Sequence, residues 1–121
     1  MRLYALRGAT TVDADERDAI LAATTELMNQ LLERNALHAE DLVSCLFTLT
    51  PDLHAEFPAV AARQMGLSTV PLMCAQELDV PGAMPRVIRV LVHCYMDEGA
   101  TPQHAYLGEA TRLRLDLQGA Q

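Results

Sequence analysis

The sequence predicts an α+β (mixed α/β) fold, in which a mixed sheet carries its helices on one face. One segment has the three- and four-residue apolar spacing of an amphipathic helix, and several short segments are rich in β-branched and apolar residues. Helical and extended segments follow one another in the order β, α, β, α, β, β, β. The 121 residues, 50% of them hydrophobic, are enough for a single domain over residues 1–121 with a buried core.

The first half of the chain is predicted to form a strand, a long helix and a second strand. Residues 2–9 are typical of a strand, and four acidic residues then crowd the start of the helix, where the helix dipole favours negative charge. The helix has one apolar stripe and closes at Asn35, which we expect in the left-handed conformation. Leu42–Leu49 is apolar on both faces, as a central strand would be. The acidic residues are Asp13, Asp15, Glu16 and Asp18, and the stripe comprises Ile20, Leu21, Thr24, Leu27, Met28, Leu31 and Leu32.

The second half of the chain is predicted to be richer in strands. A second helix begins near Pro58, because the fixed φ of proline suits the first helical position, and it ends at Gly66. Prolines and glycine at 81–85 mark a loop before the longest strand. The other predicted elements are a short strand at 69–73, the longest strand at 86–96, an extended segment at 105–107 and a helical turn at 109–113.

Arg89 is the unusual residue of the predicted strand at 86–96. Its guanidinium stands in the middle of a strand that looks central, on the strand face opposite Ile88 and Val90. An unpaired buried charge is costly, so we expect Arg89 to have an anionic or hydrogen-bonding partner.

Charge and cysteine content narrow the classes of partner. Nine basic residues, all of them arginine, stand against 16 acidic residues, and the formal net charge of -7 disfavours nucleic acid and anionic lipid as partners. No apolar run approaches the roughly 18 to 20 residues of a membrane span, and the N-terminal segment lacks the apolar stretch of a signal peptide. Cys45, Cys74 and Cys94 are an odd number without CxxC spacing, which favours reduced thiols. We therefore expect a cytoplasmic protein without a membrane partner.

Motifs for nucleophilic, nucleotide or metal chemistry are missing from the sequence. It contains no GxSxG, no phosphate-binding glycine loop and no HExxH pair, and its four histidines have no ligand spacing. Cys74 near Glu77 could suggest a reactive thiol, but a small buried residue is the better interpretation without a histidine partner. What remains is an anion-binding set of arginines with one carboxylate and one phenol: Arg7, Arg63, Glu77, Arg89, Tyr106 and Arg114.

Six short motifs, taken in order, resemble one enzyme family. They are RGATTV at 7–12, TPDLHAEFPA at 50–59, VPLMCAQELDV at 70–80, PRVIRVL at 85–91, HAYL at 104–107 and LRLDL at 113–117. Together they span nearly the whole chain and resemble the monofunctional chorismate mutases of the AroH class. The sequence departs from that pattern at Val60, where a basic residue can occur, and at Leu115, which replaces a proline.

The resemblance implies a homotrimer built as a pseudo-α/β barrel, with active sites between adjacent subunits. A chain with only five aromatic residues, two Phe and three Tyr, is also poorly suited to enclosing a deep pocket alone. The implied reaction is the conversion of chorismate to prephenate for phenylalanine and tyrosine synthesis, an intramolecular Claisen rearrangement that needs no cofactor and no metal.

The resemblance also implies a role for individual residues. Arg89 matches the donor to the ether oxygen of the substrate, and Glu77 matches the acid that faces the ring fragment and its hydroxyl. The remaining matches are substrate contacts: Arg7 and Tyr106 to carboxylate, Cys74 near the ring hydroxyl with Met73 beside it, Phe57 and Arg63 from the neighbouring subunit, and Arg114 in a closing tail.

Two other functions are compatible with the same residues. A catalytically inactive trimeric module of this fold would bind a small dicarboxylate, and a thiol-dependent enzyme would use Cys74. Retention of both Arg89 and Glu77 favours the mutase, because a mere binding protein has no need for opposed charges across a reacting bond.

Overall fold

The computed structural model describes residues 1–113, which contain a five-stranded sheet, the two helices that connect its strands, and helical residues at 111–113. The elements follow the predicted order β, α, β, α, β, β, β, with short 3-10 turns at Ala39–Asp41 and Gly108–Ala110. Their bounds are β1 Arg2–Thr11, α1 Arg17–Arg34, β2 Leu42–Leu49, α2 Pro58–Gln64, β3 Leu72–Gln76, β4 Val87–Met96 and β5 Ala105–Tyr106. No helix within the described range is long and apolar enough to cross a bilayer.

The sheet is mixed, and its spatial order is β3-β2-β4-β1-β5. Strand β4 lies at the centre and pairs antiparallel with β2 on one side and β1 on the other. The two outer pairs, β2 with β3 and β1 with β5, are parallel. The predicted mixed α+β fold is therefore confirmed, and β2 is an interior strand as expected.

Both helices pack against one face of this sheet. Leu27 and Met28 of α1 and Ala62 of α2 share a single buried cluster with inward-facing strand residues such as Phe47 and Val92. The opposite face of the sheet carries partly exposed apolar side chains in this single chain, which are Leu3, Leu46, Met73 and Tyr95. One face of the sheet thus holds the core and the other is open to a ligand or partner.

Gly8 sets how closely α1 approaches the sheet. A Cβ atom at this position would lie 2.9 Å from Cδ1 of Leu31 and 3.0 Å from Cγ1 of Val90. A side chain here would force these buried side chains to shift, so the glycine of the RGATTV motif has a packing role.

The predicted C-terminal closure of α1 is wrong. Asn35 has φ −110°, and the left-handed residue is Ala36 with φ 51°. The side chain of Asn35 instead makes three hydrogen bonds of 2.8 Å: Nδ2 donates to the carbonyls of Leu31 and Gln103, and Oδ1 accepts from the Gln103 amide. Asn35 therefore joins the end of α1 to the segment before β5.

The predicted strand at 69–73 lies about three residues too early. Residues 67–70 form a turn, in which the amide of Val70 donates to the carbonyl of Leu67. The parallel ladder with β2 begins only where Cys45 faces Leu72, and it runs to Leu49 opposite Gln76. Two smaller differences concern element bounds. Helix α2 ends at Gln64, before the predicted Gly66. Strand β1 extends beyond residue 9 to Thr11 and is as long as β4, because the two strands pair over all ten residues.

Candidate active site

A row of residues on the open face crosses all five strands of the sheet. On β4, Arg89 lies directly opposite Thr48 of β2 on one side and Ala9 of β1 on the other. The same row continues outward to Ala75 of β3 and to Tyr106 of β5. Side chains in such a row are cross-strand neighbours, so sheet register alone brings these distant parts of the sequence together.

The sequence predicts an anionic or hydrogen-bonding partner for Arg89 without naming it, and in the structure this partner is Glu77. The Nε hydrogen of Arg89 is shared between the two carboxylate oxygens, at 3.0 Å from Oε2 and 3.2 Å from Oε1. The hydroxyl of Thr48 donates to Oε2 at 2.6 Å. Glu77 follows directly after β3, and its amide donates to the carbonyl of Leu49 at 2.8 Å, which extends the β2–β3 pairing to the carboxylate. Charge and hydrogen bonding therefore both fix this acid.

Arg89 is well placed to meet an anionic group. Its side chain is 42% exposed, whereas that of Glu77 is 18% exposed. Within residues 1–113, all hydrogen bonds of Arg89 side-chain atoms are made through Nε. The two terminal nitrogens of the guanidinium therefore keep their hydrogens for a ligand.

Arg7 and Tyr106 form the other end of the site. The backbone amide of Arg7 donates to Nδ1 of His104 at 3.0 Å, and the amide of Leu107 donates to the carbonyl of Ala9 at 2.9 Å. These bonds hold the short strand β5 against β1. The exposed Arg7 guanidinium and the half-buried Tyr106 phenol are thus carried on adjacent strands.

These residues line one cleft of about 770 Å³. The cleft has two guanidinium groups, a phenol and a carboxylate among otherwise apolar walls. Its lining is Arg7, Gly8, Ala9, Leu46, Thr48, Glu77, Leu78, Val80, Ala83, Arg89, Val90, Leu91, Tyr106 and Leu113. A set of this kind suits a small apolar molecule that carries carboxylates.

Cys74 and Phe57 do not belong to this cleft. Cys74 faces Phe47 in the β2–β3 register, on the helix side of the sheet, and with Phe57 it lines a second cavity of about 310 Å³. Partial burial raises the pKa of the Cys74 thiol, while a hydrogen bond from the Ala59 backbone and the charge of Arg63 act in the opposite direction. Cys74, Phe57 and Arg63 therefore form a group of their own.

The predicted site residues are consequently split into two groups. Arg7, Glu77, Arg89 and Tyr106 share the large cleft, and Cys74, Phe57 and Arg63 lie together elsewhere. Met73 is 63% exposed and faces Leu46, a residue of the cleft wall, on the open side of the sheet. Arg114 lies outside the described residues.

Asp15 fixes the loop that leads to Phe57. One of its carboxylate oxygens accepts the backbone amides of His54 and Ala55, each at 2.9 Å, and the other lies 3.2 Å from Nδ1 of His54. The hydrogen bond from the His54 amide is the main reason that the pKa of Asp15 is lowered. The exposed Phe57 ring thus follows a loop that is tied to the start of α1.

Sequence reasoning missed Thr48, Asn35 and Asp15 as contributors to this region. Thr48 gives a visible signal, since it is a hydroxyl residue inside the apolar strand Leu42–Leu49. Asn35 and Asp15 give none, because each acts on a segment far away in the sequence.

Comparison with known proteins shows the family of this chain. The family model of chorismate mutase type I matches residues 3–117. The chain is 50% identical to the chorismate mutase AroH of Thermus thermophilus, over 96% of this chain and 97% of that protein. It is 42% identical to the chorismate mutase AroH of Bacillus subtilis (strain 168), over 97% of this chain and 94% of that protein.

A solved structure has the same fold. The chorismate mutase from Clostridium thermocellum Cth-682 superposes with a TM-score of 0.88 at 44% sequence identity, and the match covers 90% of this chain and 98% of that one. The family match covers nearly the full length, and both relatives exceed 40% identity over almost all of the chain. The chain belongs to the chorismate mutase type I family.

Proposed function

We propose that the cleft around Arg89 and Glu77 catalyses the rearrangement of chorismate to prephenate. Family membership supports this activity, and one observation assigns it to these residues. Arg89, whose terminal nitrogens make no hydrogen bond within residues 1–113, is paired inside the cleft with a carboxylate held by three hydrogen bonds. This site supplies opposite charges a short distance apart, which is what the reaction needs.

Arg89 stabilises the charge that develops on the ether oxygen. In the rearrangement the carbon–oxygen bond breaks ahead of carbon–carbon bond formation, so negative charge grows on that oxygen. A cation held in place on the central strand interacts more strongly with the transition state than with the ground state, and this difference accelerates the reaction. No proton transfer or covalent intermediate is required.

Glu77 acts on the other fragment. The ring fragment becomes partly positive as the bond breaks, and the Glu77 carboxylate faces it while accepting a hydrogen bond from the ring hydroxyl. Its pairing with Arg89 at 3.0 Å supports this role, because it keeps the two charges on neighbouring sides of one small cleft.

Arg7 and Tyr106 bind substrate carboxylate and restrict the conformation of chorismate. The reactive conformer is compact, and a carboxylate clamp raises its population as well as the affinity. Arg114, from the tail, is proposed to add a third cation over the bound dianion. In a chain with formal net charge −7 these arginines make the field locally positive.

The group formed by Cys74, Phe57 and Arg63 is proposed to complete the cleft of an adjacent subunit in a homotrimer. Its location away from the Arg89 cleft within one chain supports a shared site. The open sheet face supports assembly, since Leu3, Leu46 and Tyr95 are 48%, 38% and 47% exposed in the single chain. Phe57 then forms an apolar wall, Cys74 makes a polar contact near the ring hydroxyl, and Met73 adds an apolar contact at the rim.

We place the enzyme in the cytoplasm as a single-domain protein without a cofactor. Its three cysteines are all free, which suits a reducing compartment. The product prephenate would feed phenylalanine and tyrosine synthesis.

The test follows chorismate loss by ultraviolet absorbance with purified protein, beside Arg89→Ala and Cys74→Ala. We expect turnover in the natural protein, its loss in Arg89→Ala, and only a reduction in Cys74→Ala. Decay of chorismate at the spontaneous rate with the natural protein would overturn the assignment. An inactive Cys74→Ala beside an active Arg89→Ala would reverse the roles of these two residues.

A further inference from the structure

We infer that Thr48 is a positioning residue for the rearrangement, which it serves by fixing one oxygen of Glu77 and leaving the other for the substrate. This inference rests on the proposed function of the Arg89 cleft. Its basis is the 2.6 Å hydrogen bond from the Thr48 hydroxyl to Oε2 of Glu77, at the centre of the site.

Thr48 is held rigidly enough to position another side chain. It belongs to β2, an interior strand with ladders on both sides, where it faces Arg89 on β4 and Ala75 on β3. A β-branched side chain in a strand has few χ1 choices, so its hydroxyl has a defined direction. Glu77 follows the end of β3 and has a longer, more flexible side chain. The more constrained residue therefore orients the less constrained one.

The hydrogen bonds divide the two carboxylate oxygens into distinct roles. Among the described residues, Oε2 accepts from Thr48 at 2.6 Å and from Arg89 at 3.0 Å, whereas Oε1 accepts only the weaker of the two Arg89 Nε contacts, at 3.2 Å. An ionised carboxylate oxygen has about two lone-pair sites. Oε2 is thus fully used within the protein, and Oε1 is the oxygen that accepts from the ring hydroxyl.

Arg89 alone would not give this result. Its single Nε hydrogen is shared between both oxygens, so the ion pair tolerates a range of carboxylate tilts and rotations. The Thr48 hydroxyl narrows that range, because its hydrogen bond to one oxygen adds a second fixed direction to the carboxylate. Without it Glu77 would sample several orientations, and the fraction that faces the substrate correctly would fall.

The test compares Thr48→Val, which keeps the shape and removes the hydroxyl, with Thr48→Ser, which keeps the hydroxyl. We expect Thr48→Val to lower kcat by about tenfold or more, as loss of a hydrogen bond to a charged group predicts, with a smaller change in KM. Thr48→Ser should stay within about threefold of the natural protein. Thr25→Val is the matched control, since within residues 1–113 the Thr25 hydroxyl bonds only to the Leu21 carbonyl on α1.

A double-mutant cycle with Glu77→Gln separates positioning from a general structural effect. If Thr48 acts through the Glu77 carboxylate, Thr48→Val should lose most of its effect on kcat when it is combined with Glu77→Gln. If Glu77→Gln shows only the spontaneous rate, the cycle has no measurable kcat to compare. The difference in kcat between Thr48→Val and Thr48→Ser is then the test of positioning.

Each failure has its own signature. Equal kcat in Thr48→Val and the natural protein would overturn the inference, as would equal losses in the serine and valine variants or an undiminished effect beside Glu77→Gln. A natural protein that does not accelerate chorismate loss would instead overturn the proposed function.

Discussion

Arg89 shares one Nε hydrogen between both carboxylate oxygens of Glu77, at 3.0 and 3.2 Å. This pairing through Nε alone differs from an end-on pairing, in which the two terminal nitrogens would both donate to the carboxylate. Here the acid orients the guanidinium plane while its outer edge keeps hydrogen-bond donors for the ligand. Glu77 therefore orients the Arg89 side chain without using the hydrogen-bond donors that bind the substrate.

Replacing Arg89 by lysine should nearly abolish catalysis. Lysine keeps the charge but lacks the planar fork that holds Glu77 and donates to the ether oxygen in the same plane. We expect kcat to fall by about 100-fold or more, a barrier increase of about 3 kcal/mol, as for the loss of an oxyanion donor. Arg2→Lys is the control, because Arg2 stacks on Tyr4 and does not line the cleft. A lysine variant with nearly natural kcat would show that charge alone suffices.

In the proposed homotrimer, mixing two inactive variants should recover activity that neither parent has. Arg89→Ala damages one group of site residues and Arg63→Ala the other, so a site between one subunit of each kind can contain both intact groups. After joint unfolding and refolding of equal amounts, about a quarter of the sites should be complete if subunits mix at random. The measurement is chorismate turnover beside each variant refolded alone. A mixture no better than the average of its parents would mean that each site lies within one chain.

Asn35→Ala should weaken substrate binding more than it slows the chemical step. Asn35 makes two hydrogen bonds to Gln103, each at 2.8 Å, and these bonds anchor the segment that leads to Tyr106. At about 1 kcal/mol for each lost hydrogen bond, the segment should become more mobile and KM should rise several-fold. Hydrogen exchange of the Gln103 amide is the direct readout, because Oδ1 of Asn35 accepts that hydrogen. Unchanged exchange at Gln103 would contradict the proposed anchor.

Protein stability should decrease between pH 9 and pH 11 because of Cys45. Burial raises the pKa of this thiol from 9.0 to about 11. In that interval the unfolded chain loses the thiol proton while the folded chain keeps it, so the free energy of unfolding falls as pH rises, by about 2 kcal/mol in total. Below pH 9 both states hold the proton and Cys45 adds no pH dependence.

The control for this prediction is Cys45→Ala, measured by urea unfolding at the same pH values. The variant should be less stable at neutral pH because it loses buried volume, but its stability should change less between pH 9 and pH 11. Parallel pH curves for the variant and the natural protein would show that the Cys45 thiol has the same pKa in the folded and unfolded states, which would contradict the prediction.

Much of the fold could be predicted because it depends on local patterns. The spacing of apolar residues in α1 and the apolar strands β2 and β4 gave the correct element types and order. Register could not be predicted, since it depends on which strand a segment meets. The strand predicted at 69–73 is the example, because pairing with β2 moves it to Leu72–Gln76.

The candidate site was predictable in part for the same reason. An arginine inside an apolar strand predicts that a partner exists, but only the β2–β4 register and the loop after β3 show that Glu77 and Thr48 meet it. Cys74 and Glu77 were expected near the same group of the substrate. With β3 correctly placed, strand alternation puts the two on opposite faces, which is why they belong to different groups within one chain.

The row of side chains that crosses all five strands has a consequence for how the enzyme acquires its activity. Its members run from Ala9 to Tyr106 in the sequence, and no continuous fragment contains them without containing almost the whole polypeptide. Such non-local contacts are slow to form, because loop-closure entropy must be overcome first. Regain of turnover after denaturation should therefore not precede completion of the entire sheet and, in the proposed shared site, should also require association of the subunits.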